Sequence, residues 1–513
     1  MKKKVLTGAS VLLLTSLVVK ILSAIYRIPL QNMMGNEGFY SYQQVYPIYG
    51  LGMSLALTGV PLYVSQRIAE EKATERTIRQ LYTITSVVSG LLFICLLCFA
   101  KPIALLMGNG QLTSVIQAVS FVFLLTPFLG MMRGIYQGHH DLYATAYSQL
   151  GEQLTRVIII LMIAFVGTKL HFNCYKISTG AFFATFIAAF VALVILLVYR
   201  KKELLFHHHY FSYSKVSFKE LWRFMNECSL LSLSVSFMLV MQLLDSFFLP
   251  VTLMKIGISA QESFVLKGIF DRGQPLIQVG LVLTTVIVSD FSPLLIKKGK
   301  DKVAYQIIKR TFIHLGLFIG VGAGFGLSFL LPLINQALFE NNEGSTALSL
   351  LMLSVVLMSG ILLLQTLAQS QKNLALLWQS LLLATLIKGI TAPFLIAAYQ
   401  LVGAALSTVI ALIAANCLYL YKEREKLSAD QLFYCKLIKV TLVYITTLFL
   451  YRLFATSMQL NRIEALLLAI LGVVINGVIY LHLCRHYQLL TIEEWKKLPL
   501  GEWLMKVGRI HAH

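Results

Sequence analysis

The sequence predicts an all-α integral membrane protein of about fourteen transmembrane helices, built as two pseudo-symmetric six-helix lobes plus two C-terminal helices. Three observations predict it. First, 57% of the 513 residues are hydrophobic and only 13% are charged, with mean hydropathy +0.75. Soluble proteins run to roughly 45–50% apolar and about 25% charged. This chain lacks the charge to coat a water-facing surface of its size, which excludes a soluble enzyme, a disordered chain and a fibrous repeat. Second, fourteen apolar runs, each near the ~20 residues that a span requires, are separated by short turns carrying Gly, Asn, Pro or charge. Third, the chain matches itself at an offset of about 220–230 residues, the internal symmetry common in transporters.

The first run, 6–28, follows Lys2–Lys4 and is interrupted by Lys20. No clear small-x-small cleavage site follows it, so it reads as a retained span and not as a removed signal peptide. Runs 40–64, 79–100, 112–132, 144–167 and 178–199 complete an N-terminal lobe, 1–199. A basic segment, 200–224, reads as a cytoplasmic linker in which His207–His209 are solvated. Runs 225–249, 265–291, 306–331, 347–368, 374–397 and 401–421 make a second lobe, 225–421. Runs 438–455 and 464–484 are spans thirteen and fourteen, within 422–487. The tail, 488–513, carries Trp495, Trp503 and several lysines and reads as a cytoplasmic interfacial segment.

Charge sets the orientation. With Met1 inside, the inside segments hold 31 Lys/Arg and the outside segments 7, and 5 lie within spans. That asymmetry follows the positive-inside rule and puts both termini in the cytoplasm. It also accounts for the net charge of +20 without a nucleic-acid partner. Of the seven cysteines only Cys174 falls in an outside loop, so no external disulfide is expected. Cys95 and Cys98 sit mid-span without His or carboxylate neighbours and read as apolar helix residues, not a metal site.

The repeat is traced helix by helix. Pro29 matches Pro250, and Gln43-Gln44 with Pro47 and Gly52 matches Asp271-Arg272 with Pro275 and Gly280. Pro102 matches Pro332, Gln137 matches Gln369, and Arg156 matches Lys388. Gly180-Ala181 with Thr185 matches Gly403-Ala404 with Thr408. An offset of six spans preserves orientation, so the halves are parallel repeats.

These features resemble the MOP superfamily of exporters, most of all its lipid II flippase (MurJ) branch in the Gram-positive YtgP/SpoVB-like form. The likeness runs through Gly8 to Pro61, including KILSAIYRIPLQNMMG, then through RGIYQGHHDLYATAYSQLGEQLTRV from Arg133 and FDRGQP from Phe270. The resemblance implies a cell-membrane flippase, not an enzyme. It would export undecaprenyl-pyrophosphate-linked peptidoglycan precursor by alternating access. It implies a lipid-linked glycan diphosphate, membrane lipids and cell-wall synthesis proteins as partners. Family cationic positions map onto Lys20 and Arg27, and the family's Asp-Arg pair onto Asp271 and Arg272. Related flippases can bind a cation in the second lobe through acidic residues. No cofactor is expected; the membrane potential would drive export, with the coupling ion left open.

A charge at mid-bilayer costs roughly 2.5–3.5 kcal/mol on insertion scales and marks function or a structural pair. Lys20 and Arg27, seven residues apart, should share a helix face, where a diphosphate would relieve their repulsion. Arg272 is expected to face a central cavity, with Asp271 steadying another cation. Glu152 and Arg156, at i,i+4, can pair, or Arg133 and Glu152 can bracket an inner gate. Asp245 and Lys388 lack opposite charges at helical spacing and are expected to seek partners across helices, either as a coupling site with a built-in cation or as packing glue. Tyr40, Tyr42, Gln43, Tyr46 and Tyr49 read as an interfacial belt. The competing functions are a flippase for another lipid-linked polysaccharide precursor, a drug exporter of the same fold, a membrane enzyme such as a glycan polymerase and a membrane scaffold of cell-wall assembly.

Overall fold

The computed structural model describes residues 2–69, 74–199, 211–297, 301–422, 430–498 and 501. Residues 200–210 of the expected linker, with His207–His209, lie outside the described residues, as does Trp503 of the tail. Every regular element among the described residues is helical. In order they are α1 (Lys2–Ile25), α2 (Arg27–Gln43), α3 (Tyr46–Ser54), α4 (Val60–Ala69), α5 (Glu75–Leu106), α6 (Thr113–Ser120), α7 (Val122–Gly138), α8 (Leu142–Lys169), α9 (Cys174–Val198) and α10 (Phe218–Val235). The second half adds α11 (Phe237–Lys255), α12 (Ala260–Asp271), α13 (Gly273–Lys297), α14 (Lys302–Phe339), α15 (Ser345–Ser370), α16 (Leu374–Lys422), α17 (Gln431–Thr456), α18 (Arg462–His486) and α19 (Ile492–Lys496).

Twelve helical stretches among the described residues are long and apolar enough to cross a membrane. The sequence suggested about fourteen, and two local effects separate the counts. The run 40–64 is not one helix. It breaks between α2 and α3, and again at a π turn, Leu55–Gly59, before α4. Pro47 and Pro61 stand at the starts of α3 and α4, where a missing N–H costs least. Runs 374–397 and 401–421 lie together in α16, bent at Gln400 (φ 49°, ψ −122°).

The chain divides into two compact units: Met1–Pro275 with Lys388–Ala404, and Leu276–Ile387 with Ala405–His513. In the first unit α8 displays the membrane pattern. Leu154, Ile158, Met162 and Phe165 form an exposed apolar stripe at helical spacing, while Glu152, Gln153 and Arg156 are buried. Such a helix shows apolar groups to lipid and hides charge. Helix α7 meets α4 along Gly130, Gly134 and Gly138. A Cβ at each would lie 2.8, 2.6 and 2.7 Å from side-chain atoms of Val60, Val64 and Ile68. Small residues every fourth position let helices approach closely where no hydrophobic drive exists between them.

The second unit has an aromatic core of Phe312, Phe318, Tyr444, Tyr480 and Trp495. Helix α19 opens with a capping box, Thr491 and Glu494, which satisfies two otherwise orphaned N–H groups. Trp495 is buried and meets Phe318 edge-on at 5.7 Å. The beginning of the tail is therefore docked in protein, where the sequence suggested an interfacial segment. Its dock includes His314, whose Nδ1 donates to Glu494 Oε1 at 2.8 Å and whose ring stacks on Phe433 at 3.7 Å.

Candidate functional site

Among the described residues, nine charged side chains are buried in the first unit: Arg27, Arg133, Glu152, Arg156, Asp245, Lys267, Asp271, Arg272 and Lys388. Six cations face three carboxylates. Each carboxylate holds one cation: Arg133 Nη2 lies 2.8 Å from Glu152 Oε2, Lys267 Nζ 2.5 Å from Asp271 Oδ2 and Lys388 Nζ 2.7 Å from Asp245 Oδ1. Cations thus outnumber carboxylates among these buried residues, and Arg27 and Arg156 lie against tyrosines and an amide.

Arg27 begins α2. Pro29 has no N–H to give the Ile25 carbonyl, and the helix is interrupted at Tyr26. The guanidinium lies 4.0 Å above the Tyr46 ring centroid and 5.9 Å from that of Tyr26. None of its three nitrogens makes a hydrogen bond among the described residues. Tyr26 and Tyr42 share a hydroxyl–hydroxyl hydrogen bond of 2.8 Å beside it. Cation–π attraction offsets part of the burial cost, but a guanidinium offers five donors and these are left for an acceptor. Lys20, by contrast, is exposed.

Arg156 donates to Tyr49 Oη and Gln153 Oε1. The expected Glu152–Arg156 pair does not form, because Arg133 of α7 takes Glu152 and also donates through Nε to Ser148 Oγ at 3.0 Å. The tyrosines of the second run are not a lipid-facing belt. Tyr40, Tyr42, Tyr46 and Tyr49 are buried, and Tyr42 stacks on Phe182 at 4.6 Å. The alternative to an interfacial belt was visible in their density beside Arg27, but only the fold brings Arg156 to them.

Arg272, at the joint between α12 and α13, donates through Nη2 to Asn36 Oδ1 at 2.6 Å. Asp271 faces away from it and holds Lys267, one helical turn earlier. Lys267 was counted with the outside charges; its i,i+4 spacing from Asp271 was the signal that could have found it. Asn36, which follows Gly35 in its left-handed kink (φ 69°), carried no signal in the sequence. Lys388 donates a further hydrogen bond to the Met241 carbonyl at 2.8 Å. No group of three or more His, Cys, Asp or Glu among the described residues is placed to hold a metal ion.

The profile of the family described as "polysaccharide biosynthesis protein" matches residues 5–297. The chain is also 31% identical over 517 residues to the uncharacterized membrane protein YabM of Bacillus subtilis, covering 98% of this chain and 96% of that one. The chain belongs to the polysaccharide biosynthesis protein family. Within that family it is 30% identical over 218 residues to the lipid II flippase MurJ of Bacillus subtilis, a match covering 39% of this chain and 40% of that one. Its fold is that of the MOP superfamily: it superposes on the inward closed conformation of lipid II flippase MurJ with TM-score 0.63, at 15% identity, over 91% of this chain and 98% of that chain. This family member is a multi-pass, all-α membrane protein.

Proposed function

We propose that the protein is a flippase that exports undecaprenyl-pyrophosphate-linked peptidoglycan precursor, lipid II, by alternating access. The observation that carries this reading is the surplus of buried guanidiniums. Among the described residues of the first unit, six buried cations stand against three buried carboxylates, and Arg27 and Arg156 sit over neutral tyrosines and an amide. An apolar environment tolerates such charge when an anion neutralises it, and guanidinium forks match phosphate oxygens. Lys20, exposed on α1, adds a fourth cation. The same chemistry argues against an organic-cation exporter, because each buried carboxylate among the described residues of the first unit holds a cationic partner. Family membership supports a second substrate, another lipid-linked glycan that shares the diphosphate.

The test is transport in proteoliposomes, read as precursor reaching an impermeant quencher. Wild type moves lipid II, while Arg272→Ala inserts but moves less than a tenth as much. Normal transport by well-folded Arg272→Ala would sink the assignment. Competition between lipid II and an undecaprenyl diphosphate carrying a different glycan separates the two substrates.

Coupling follows from Asp245 and Lys388. Exporting one negative charge from a cell negative inside releases about 2.3 kcal/mol per 100 mV. The empty carrier returns with a neutral Asp245–Lys388 pair, so the ammonium fills the role of a soluble coupling cation. Transport should then collapse with the membrane potential and persist without sodium. Lys388→Ala should gain sodium dependence or lose activity. Sodium-dependent wild-type transport, or a Lys388→Ala protein that behaves as wild type in both buffers, would refute the built-in cation.

A further inference from the structure

Helices α2 and α12 meet along matched stripes. Asn36 and Tyr40 of α2 lie one turn apart, as do Phe264, Gly268 and Arg272 through α12 and its C-terminal cap. The Tyr40 and Phe264 rings stack with centroids 4.7 Å apart and planes at 8°. Asn36 presents its backbone to Gly268: a Cβ on Gly268 would lie 2.0 Å from the Asn36 carbonyl oxygen. Its side chain, in turn, accepts from Arg272 Nη2 at 2.6 Å and from Gln31 Nε2 at 2.9 Å. One turn further along, Gln44 Nε2 donates to the Ser246 carbonyl of α11 at 2.6 Å. The charge distribution of the sequence assigns this end of α2 and α12 to the outside.

An amide oxygen that accepts from a guanidinium occupies the position a phosphate oxygen would take on the same fork. A neutral acceptor makes a weaker bond than an anionic one, so the contact yields to a phosphate without resisting it. From this geometry we infer that Asn36 is a positioning residue that latches α2 to α12 by standing in for substrate on Arg272. A diphosphate-bearing ligand displaces it and so frees the outer contact. The inference rests on the reading of Arg272 as a phosphate ligand. Asn36 and a phosphate then compete for Arg272 Nη2, and the latch lowers the apparent affinity for ligand by the fraction of molecules in which Asn36 holds it.

Two substitutions separate this from a packing role. Asn36→Ala removes the internal acceptor, and Asn36→Asp replaces it with a charged one. In full-length protein in nanodiscs, with undecaprenyl diphosphate as the probe, Asn36→Ala should bind about threefold tighter than wild type and Asn36→Asp at least about tenfold weaker. Hydrogen–deuterium exchange of residues 36–44 and 260–271, without ligand, should rise in Asn36→Ala and fall in Asn36→Asp. The probe should raise exchange in wild type. Loss of binding in both variants, or exchange that rises in both, makes Asn36 a packing residue and overturns the latch. Probe that binds wild type without changing exchange also overturns it, while leaving the flippase reading intact. Binding equal in wild type and Arg272→Ala overturns instead the role given to Arg272 in that reading.

Discussion

Arg133 and Glu152 form a buried pair joining α7 to α8, with Ser148 satisfying the Arg133 Nε. Removing one partner leaves the other charge buried and uncompensated, which costs on the order of 3–5 kcal/mol. Glu152→Ala should therefore lower the melting temperature in detergent sharply, and the double variant Arg133→Met/Glu152→Met should recover most of it. A double variant as unstable as the single one would show that the site needs charge and not volume. The sequence offered two partners for Glu152, Arg156 on its own helix and Arg133 across a gate, and could not choose between them, because periodicity reports only partners on the same helix. The same blindness hid Asn36, a polar residue of no special spacing. It was partly overcome for Asp245 and Lys388, since two charges without local partners had to find one across helices. Lys267 shows the converse error, an available i,i+4 partner passed over because the residue, at the outer end of run 265–291, was grouped with the outside charges.

Helix breaks matter more here than helix lengths. The apolar run of the second span was legible as hydrophobic, but its division into α3, a π turn and α4 depends on how each proline places its missing donor. Arg27, likewise, opens α2 just past the end of α1, where Pro29 withholds an N–H from the Ile25 carbonyl. Close approach between elements yields a sharper test. At Gly268 the obstacle to a Cβ is the Asn36 backbone, which cannot rotate away as a side chain can. Gly268→Ala should force α12 from α2 and cost about 1–3 kcal/mol. The measurement is thermal melting together with exchange of residues 260–271. Unchanged melting and exchange would mean that the helices part without cost and that their contact is incidental.

Across the whole molecule, buried charge concentrates in the first compact unit, while the described residues of the second bury only Lys309 and Glu494. The sequence made the membrane class legible because composition alone dictates it, but this division was not, since it depends on a return segment, Lys388–Ala404, far along the chain. The second unit offers a pH test outside the spans. Burial pushes the Glu494 carboxyl up, but hydrogen bonds from His314 and Thr491 outweigh it and hold the group below its ordinary range. A carboxyl held low in the folded state contributes stability above its unfolded pKa, about 4.3, and the contribution vanishes as pH falls through the lower folded value. In a variant keeping Trp495 as its single tryptophan, fluorescence should report α19 docked at neutral pH and progressively released as acid protonates Glu494 below the ordinary carboxyl range. Glu494→Gln should weaken docking at neutral pH and flatten the acid transition. A transition of the same midpoint and amplitude in Glu494→Gln would assign it elsewhere. The joining of Lys388 to Asp245 has a further meaning in the order of synthesis. Asp245 leaves the ribosome about 140 residues before its partner, a wait of roughly 7–30 s at 5–20 residues per second. Through that interval the nascent seventh span carries an uncompensated carboxylate. It must be held at the insertion machinery, or enter lipid protonated, until the eleventh arrives.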